Sequence, residues 1–179
     1  MTSTAVNTAA PRALPMDKIL VAIVFVLALA TIAGAWGSQL LGGLVPCELC
    51  LAQRQAYYWG LPVLALILIL WNRLPLTAWY IAMLAAAGIF VWSTYMGTYH
   101  AGVEWGWWPG PTACTGTGGD LNFGDLSSGN IEKVIPCDQV QWRDPIIKFS
   151  LAGYNALLSA LDVVLLLAAI VLQARRKRG

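Results

Sequence analysis

Four stretches of this chain are apolar for longer than a water-soluble fold can use: residues 19–41, 51–71, 76–97 and 146–172. About 20 such residues reach across the hydrocarbon of a bilayer. There the backbone must satisfy its own hydrogen bonds, which leaves the helix as the open-ended solution. No strand alternation is seen. Composition agrees, with 58% of residues hydrophobic and 11% charged and a mean hydropathy of +0.64, where a soluble domain carries about a quarter charged residues. The expected fold is an all-α membrane protein, a four-helix transmembrane bundle with two outer loops at about 42–50 and 98–145.

Residues 1–16 are rich in Thr, Ala and Pro and read as a tail, 17–173 as the four-span domain, and 174–179 as a basic C-terminus. The first run has Arg12 and Lys18 in front and Ala33-Gly34-Ala35 near its end, the layout of a secretory signal. Its length and the interfacial Trp36 favour a retained span. Pro62 predicts a kink in the second span, and Asn72-Arg73-Leu74-Pro75 a tight turn. Ala85, Ala86, Ala87 and Gly88 would let a neighbouring helix come close to the third.

Sidedness follows from the cations. An alternating path puts Arg12, Lys18, Arg73, Arg175, Arg176, Lys177 and Arg178 on one side, against Arg54, Lys133, Arg143 and Lys148 on the other. The richer side is cytoplasmic, which places both termini inside. All four cysteines, Cys47, Cys50, Cys114 and Cys137, then fall on the outer, oxidising side, where disulfide chemistry is sustained. A net charge of +2 with dispersed carriers gives no basis for a nucleic-acid partner.

Cys47-Glu48-Leu49-Cys50 is a C-x-x-C at a helix start, where unpaired N–H groups favour the thiolate. Cys47, Cys50, Arg54 and Tyr57 share one helical face, so a dithiol, a guanidinium and a phenol line one stripe. The plainer readings are a structural disulfide or half of a zinc site. Zinc would want a second close pair, and Cys114 and Cys137 have 22 residues between them, so no metal is expected. Cys114 and Cys137 flank a glycine-rich segment that a disulfide could simply staple. Beside a C-x-x-C on the same membrane face, exchange between the two pairs is the favoured reading. Such exchange needs an external electron acceptor, and the Cys50–Arg54 face opens onto the lipid interface, where a lipophilic quinone is available.

Pro46-Cys-x-x-Cys-x-x-x-Arg54, then Tyr99-His100-x-Gly102-Val103-Glu104-Trp105, Gly110-Pro111-x-x-Cys114, and Cys137-Asp138 with Trp142 form an ordered set that resembles the DsbB family. These are bacterial inner-membrane thiol oxidases that pass electrons from a periplasmic oxidase to quinone. The resemblance implies that Cys114 forms the mixed disulfide with a reduced DsbA-like, thioredoxin-fold partner, and that Cys137 then exchanges with Cys47. It implies that Cys50 faces the quinone, ubiquinone or menaquinone, as a thiolate, with Arg54 on a quinone oxygen and His100 near the ring.

The segment between Cys114 and Cys137 departs from better-known members, so a docking surface does not carry over. Ile131, Val134 and Ile135 have the spacing of a short helix on the membrane surface, or of an ordinary buried turn. Two other readings remain. A vitamin K epoxide reductase-like enzyme would place the loop pair before the C-x-x-C, the reverse of the order here. A membrane scaffold would use its disulfides only as braces. Asn155, Ser159 and Asp162 form a polar stripe in the last span; it either carries quinol protons or pairs with Ser38 and Gln39, the structural role being favoured. Trp105, Trp107 and Trp108 are expected to anchor the loop, and Glu104 is close enough to His100 to pair.

Overall fold

Prolines, a cysteine and a serine set the four helix starts. Pro15 and Pro75 precede α1 (Met16–Leu40) and α3 (Leu76–Glu104) in extended backbone, with φ/ψ of −64°/138° and −61°/147°. Proline fixes φ and has no N–H to leave unpaired at that position. α2 (Glu48–Ile69) is capped by Cys47, whose sulfur accepts from the Cys50 N–H at 3.2 Å. α4 (Leu151–Arg176) follows Ser150, whose hydroxyl accepts from the Gly153 N–H at 3.2 Å. The computed structural model describes residues 15–111 and 136–176. The N-terminal tail to residue 14, Cys114, the Ile131–Ile135 stretch and the last three residues lie outside the described residues.

The described residues form an all-helical bundle with no strand, only an isolated bridge between Arg143 and Ser150. α1 packs on α2 and α4, and α3 packs on the same two, so the helices follow sequence order around the bundle. One end therefore gathers the α1–α2 connection, the end of α3 and the start of α4. α1, α3 and α4 are each long and apolar enough to cross a membrane. α2 falls short by composition, because Gln53, Arg54 and Gln55 occupy its first half ahead of the apolar run. Pro62 sits inside α2 without ending it.

The buried face of α3 runs Trp79, Met83, Ala86, Phe90, Ser93, Gly97, His100, and that of α4 runs Ala152, Asn155, Ser159, Asp162, Leu166, Ala169, Gln173. Both alternate steps of four and three, the seam of helices crossing at a shallow left-handed angle. Lipid is as apolar as leucine, so close backbone approach rather than burial holds such helices together. One such approach is at Gly97, where a methyl group would stand 2.8 Å from Ala156 N on α4. The small-residue run behaves differently from the expectation. Ala86 and Ala87 are buried, but Ala85 and Gly88 fall off the seam and face outward, and Gly88 has no neighbour within 4 Å.

Two element ends differ from the apolar runs. α3 continues to Glu104, well past Gly97, because His100 lies on its seam and a further turn packs against Cys47 and Cys137. α4 begins at Leu151 rather than Ile146: Asp144 Oδ1 takes the Ile146 and Ile147 N–H groups at 2.8 and 3.0 Å, and Lys148 has φ +59°. These tie residues 144–148 into a turn. At the end of α3, Trp108 folds back over Gly102, where any Cβ would collide with its ring, and its indole N–H donates to Tyr99 O at 3.0 Å.

Candidate functional site

Capping α2 with Cys47 has a chemical consequence. It turns the sulfur back over the first turn, 2.7 Å from Cys50 Sγ, while both cysteines remain free. Both precede Leu51, the first residue of the expected second span. The hydrogen bond between them, with burial, pushes the Cys47 thiol well up from its ordinary value. The same bond, received from Cys47, holds Cys50 down, with help from the Cys47 backbone and against the effect of burial. Of the two, Cys47 is the one to keep its proton and Cys50 the readier to become the thiolate, the more reactive form.

His100 closes the site from α3. Its Nε2 is 3.6 Å from Cys47 Sγ and 3.3 Å from the carbonyl oxygen of Cys137, and its Nδ1 is 2.6 Å from Gln53 Nε2. With the amide nitrogen donating to Nδ1, the neutral ring carries its proton on Nε2, where it meets the Cys137 carbonyl and the Cys47 sulfur. Glu104, one turn on, has Oε1 3.9 Å from Nε2. Cys137 is disulfide-bonded, 1% exposed, and packs in one cluster with Cys47, Leu49 and Val103. Its segment is pinned to the α1–α2 connection by Gln141, which donates to Val45 O and accepts from Val45 N.

Arg54 faces away from the sulfurs, toward α1. Nη1 donates to Gln39 Oε1 at 2.6 Å and Nη2 to Ala35 O at 3.0 Å, with the guanidinium 5.3 Å above the Trp36 ring. A guanidinium has five donors, so three remain. Cys50, Arg54 and Tyr57 line one wall of a cavity of about 400 Å³, with Cys47, His100 and Asn155 also on it. Along α1 the cavity reaches Ala30 and Gly34, which are exposed on the outer surface of the bundle. Its size and lining suit a small ring with few polar atoms.

The structure therefore brings together Cys47, Cys50, His100, Arg54 and Cys137, and leaves Cys114 outside the described residues. It corrects the pairing foreseen for Asp162: Gln39 is taken by Arg54, and Ser38 Oγ donates to Ala35 O at 2.9 Å. The reading of the sequence missed Gln53 and Gln141, uncharged amides with no motif of their own. Gln53 was in principle visible, three residues after Cys50 and so on the same face. The ligand atoms of Cys47, Cys50 and His100 lie within 4.8 Å of one another, a spacing open to a metal ion. Two thiolates on one tetrahedral zinc would stand about 3.8 Å apart, from Zn–S bonds near 2.3 Å. The observed 2.7 Å suits a redox dithiol better.

Residues 17–170 match the family described as Disulfide bond formation protein DsbB. The chain belongs to the DsbB family, a family of membrane oxidoreductases in disulfide bond formation. No curated protein and no solved structure matches the chain significantly.

Proposed function

We propose that this protein reoxidises a periplasmic, thioredoxin-fold dithiol oxidase of the DsbA kind through two cysteine pairs, delivering the electrons to membrane quinone. The single observation that carries this is the junction at His100, where disulfide-bonded Cys137 is buried against free Cys47 and one imidazole nitrogen faces both. Bracing disulfides have no reason to be packed onto a reactive dithiol. The excess of Lys and Arg at the opposite end of the spans supports a periplasmic position for this junction.

The chemistry runs in two exchanges. A partner thiolate attacks Cys114 of a Cys114–Cys137 disulfide and Cys137 leaves as thiolate; the second partner thiol then releases the oxidised partner. Cys137 next attacks Cys47 of a Cys47–Cys50 disulfide, and Cys50 leaves as thiolate. Cys114 resolves the Cys47–Cys137 bond, so that two electrons now rest on Cys47 and Cys50. His100 Nε2–H, held by Gln53, faces Cys47 Sγ and steadies the charge that develops there when Cys114 displaces Cys47 from Cys137.

Cys50 then stands as a thiolate on the cavity wall, in the place to donate. Bound there, a quinone supplies an acceptor for two electrons and two protons. The cavity fits such a ring: partly buried Cys50 and the spare guanidinium donors of Arg54 are on its lining, and beside Ala30 and Gly34 it reaches the exposed surface of α1. Arg54 would hold a carbonyl oxygen, and its bonds to Gln39 and Ala35 fix its position beforehand.

The test is turnover in purified protein given a reduced DsbA-like dithiol and a short-chain quinone, with quinone absorbance as the readout. Turnover should disappear in Cys47→Ser and in Cys50→Ser. Turnover persisting without either cysteine would overturn the relay.

A further inference from the structure

Below the cysteines, a column of polar side chains runs down the centre of the bundle, and the thiol exchanges need none of it. Tyr57 Oη donates to Asn155 Oδ1 at 2.5 Å and lies 3.0 Å from Ser159 Oγ, which is bonded to Ser93 Oγ at 2.8 Å. All four are buried. Tyr57 and Asn155 are also on the cavity wall. Asp162 follows Ser159 on the same face of α4, is 0% exposed, and neither carboxyl oxygen has a hydrogen-bond partner among the described residues.

Packing does not ask for a carboxyl at that position. The next seam residues of α4, Leu166 and Ala169, are apolar and wholly buried. An ionised carboxylate in hydrocarbon with nothing to accept from is the costliest state such a side chain has, so Asp162 holds a proton. The hydroxyls one turn nearer the cavity differ from amides or carbonyls in one respect. Each has one proton and two lone pairs and can rotate, so Ser93, Ser159 and Tyr57 can donate in a single direction toward the cavity.

We propose that Asp162 is a proton-carrying site for the acceptor cavity, and that the Ser93–Ser159–Tyr57 hydroxyls conduct its proton to the cavity wall. This rests on the quinone-linked reading above. The balance calls for such a group. The Cys47 thiol and the Cys50 thiolate release two electrons and one proton on forming their disulfide, whereas reduction of a quinone to quinol consumes two electrons and two protons. Asp162 supplies the second proton: Tyr57 gives up its hydroxyl proton at the wall and regains one from Ser159, and Ser159 takes one from Asp162 when that carboxyl, one turn further along α4, rotates to it. The Asp162 carboxylate left behind is reprotonated from water before the next cycle.

The experiment pairs infrared spectroscopy with single-turnover kinetics on the full chain in nanodiscs. At neutral pH and without quinone, wild-type protein should show a carboxylic-acid carbonyl band that is lost in Asp162→Asn. With decyl-ubiquinone added to the Cys47/Cys50 dithiol, reoxidation should be roughly tenfold slower in Asp162→Asn and in Ser159→Ala, and restored by Asp162→Glu. Reduction of the Cys47–Cys50 disulfide by dithiol should be unchanged in all three. Absence of the band in wild type, or wild-type reoxidation in Asp162→Asn, overturns the proposal. If wild-type dithiol is not reoxidised by quinone at all, the parent reading fails, whereas the quinone-free band still reports on Asp162.

Discussion

The side-chain amide of Gln53 sits 2.6 Å from Nδ1 of His100, and that contact decides which nitrogen of the ring faces Cys47. Because the amide nitrogen can only donate, Nδ1 accepts and Nε2 keeps the proton. His100 thus presents an N–H to the sulfur that must leave or be attacked, and Gln53 acts as a positioning residue for it.

Replacing Gln53 with leucine removes the partner of a buried ring nitrogen. A net loss of about 1 kcal/mol from one such hydrogen bond corresponds to a fivefold slowing of exchange between Cys137 and Cys47, in round terms. Stopped-flow alkylation of Cys47 and Cys50 after mixing with a reduced dithiol partner measures it. An unchanged exchange rate would remove Gln53 from the positioning role.

The thiol pair makes a prediction in pH. Hydrogen bonding from Cys47 favours the charged form of Cys50 and holds its titration down. In the reduced protein, alkylation of Cys50 should therefore persist as pH falls below the ordinary thiol range near 8.5, in which a free cysteine loses reactivity. In Cys47→Ala the donor is gone, so the midpoint of the alkylation profile should move up. A midpoint that stays put would show that the helix start alone sets it.

Arg54→Ala should raise the quinone concentration needed for half-maximal turnover by ten- to a hundredfold, taking about 1.5–3 kcal/mol for a charged hydrogen bond. The dithiol concentration needed should not change. Steady-state titration of each substrate separates the two, and equal shifts in both would point to a general loosening of α1 from α2.

Much of the fold was legible because membrane spans announce themselves by length and composition, and the Asn72-Arg73-Leu74-Pro75 turn divides the second from the third. Which face of each helix turns inward was not. In lipid the outward residues are as apolar as the core, so Val91 and Leu157 are exposed while Phe90 and Leu166 are buried, with nothing in hydropathy to tell them apart. The seam shows only where small or polar residues mark it, at Ser93, Gly97 and His100 and at Asn155, Ser159 and Asp162. The site divided in the same way. Cys47, Cys50 and Arg54 were readable from spacing within one helix, and His100 from the family's motif. Gln53 on His100 and Gln141 on Val45 depend on contacts between elements 47 and 96 residues apart in sequence.

Gly97 offers a check on the packing. A valine there would push its Cβ to within 2.8 Å of Ala156 N on α4, where backbone cannot yield as a side chain can. Gly97→Val should destabilise the bundle by about 1–3 kcal/mol, the usual cost of overpacking. Unfolding in mixed detergent gives the value. Gly88→Ala, on the outward face with no neighbour within 4 Å, serves as the neutral control.

The central claim is that electrons pass between the two cysteine pairs at Cys137 and Cys47. Without Cys50, the Cys47 thiol has no partner in its own pair and should attack Cys137, leaving a Cys47–Cys137 disulfide. Peptide mapping of Cys50→Ser by mass spectrometry, after alkylation of free thiols under denaturing conditions, tests this most directly. The account predicts a cross-linked peptide joining Cys47 to Cys137, with Cys114 alkylated. Cys47 recovered fully alkylated, with Cys137 still paired as in the unmutated protein, would contradict it.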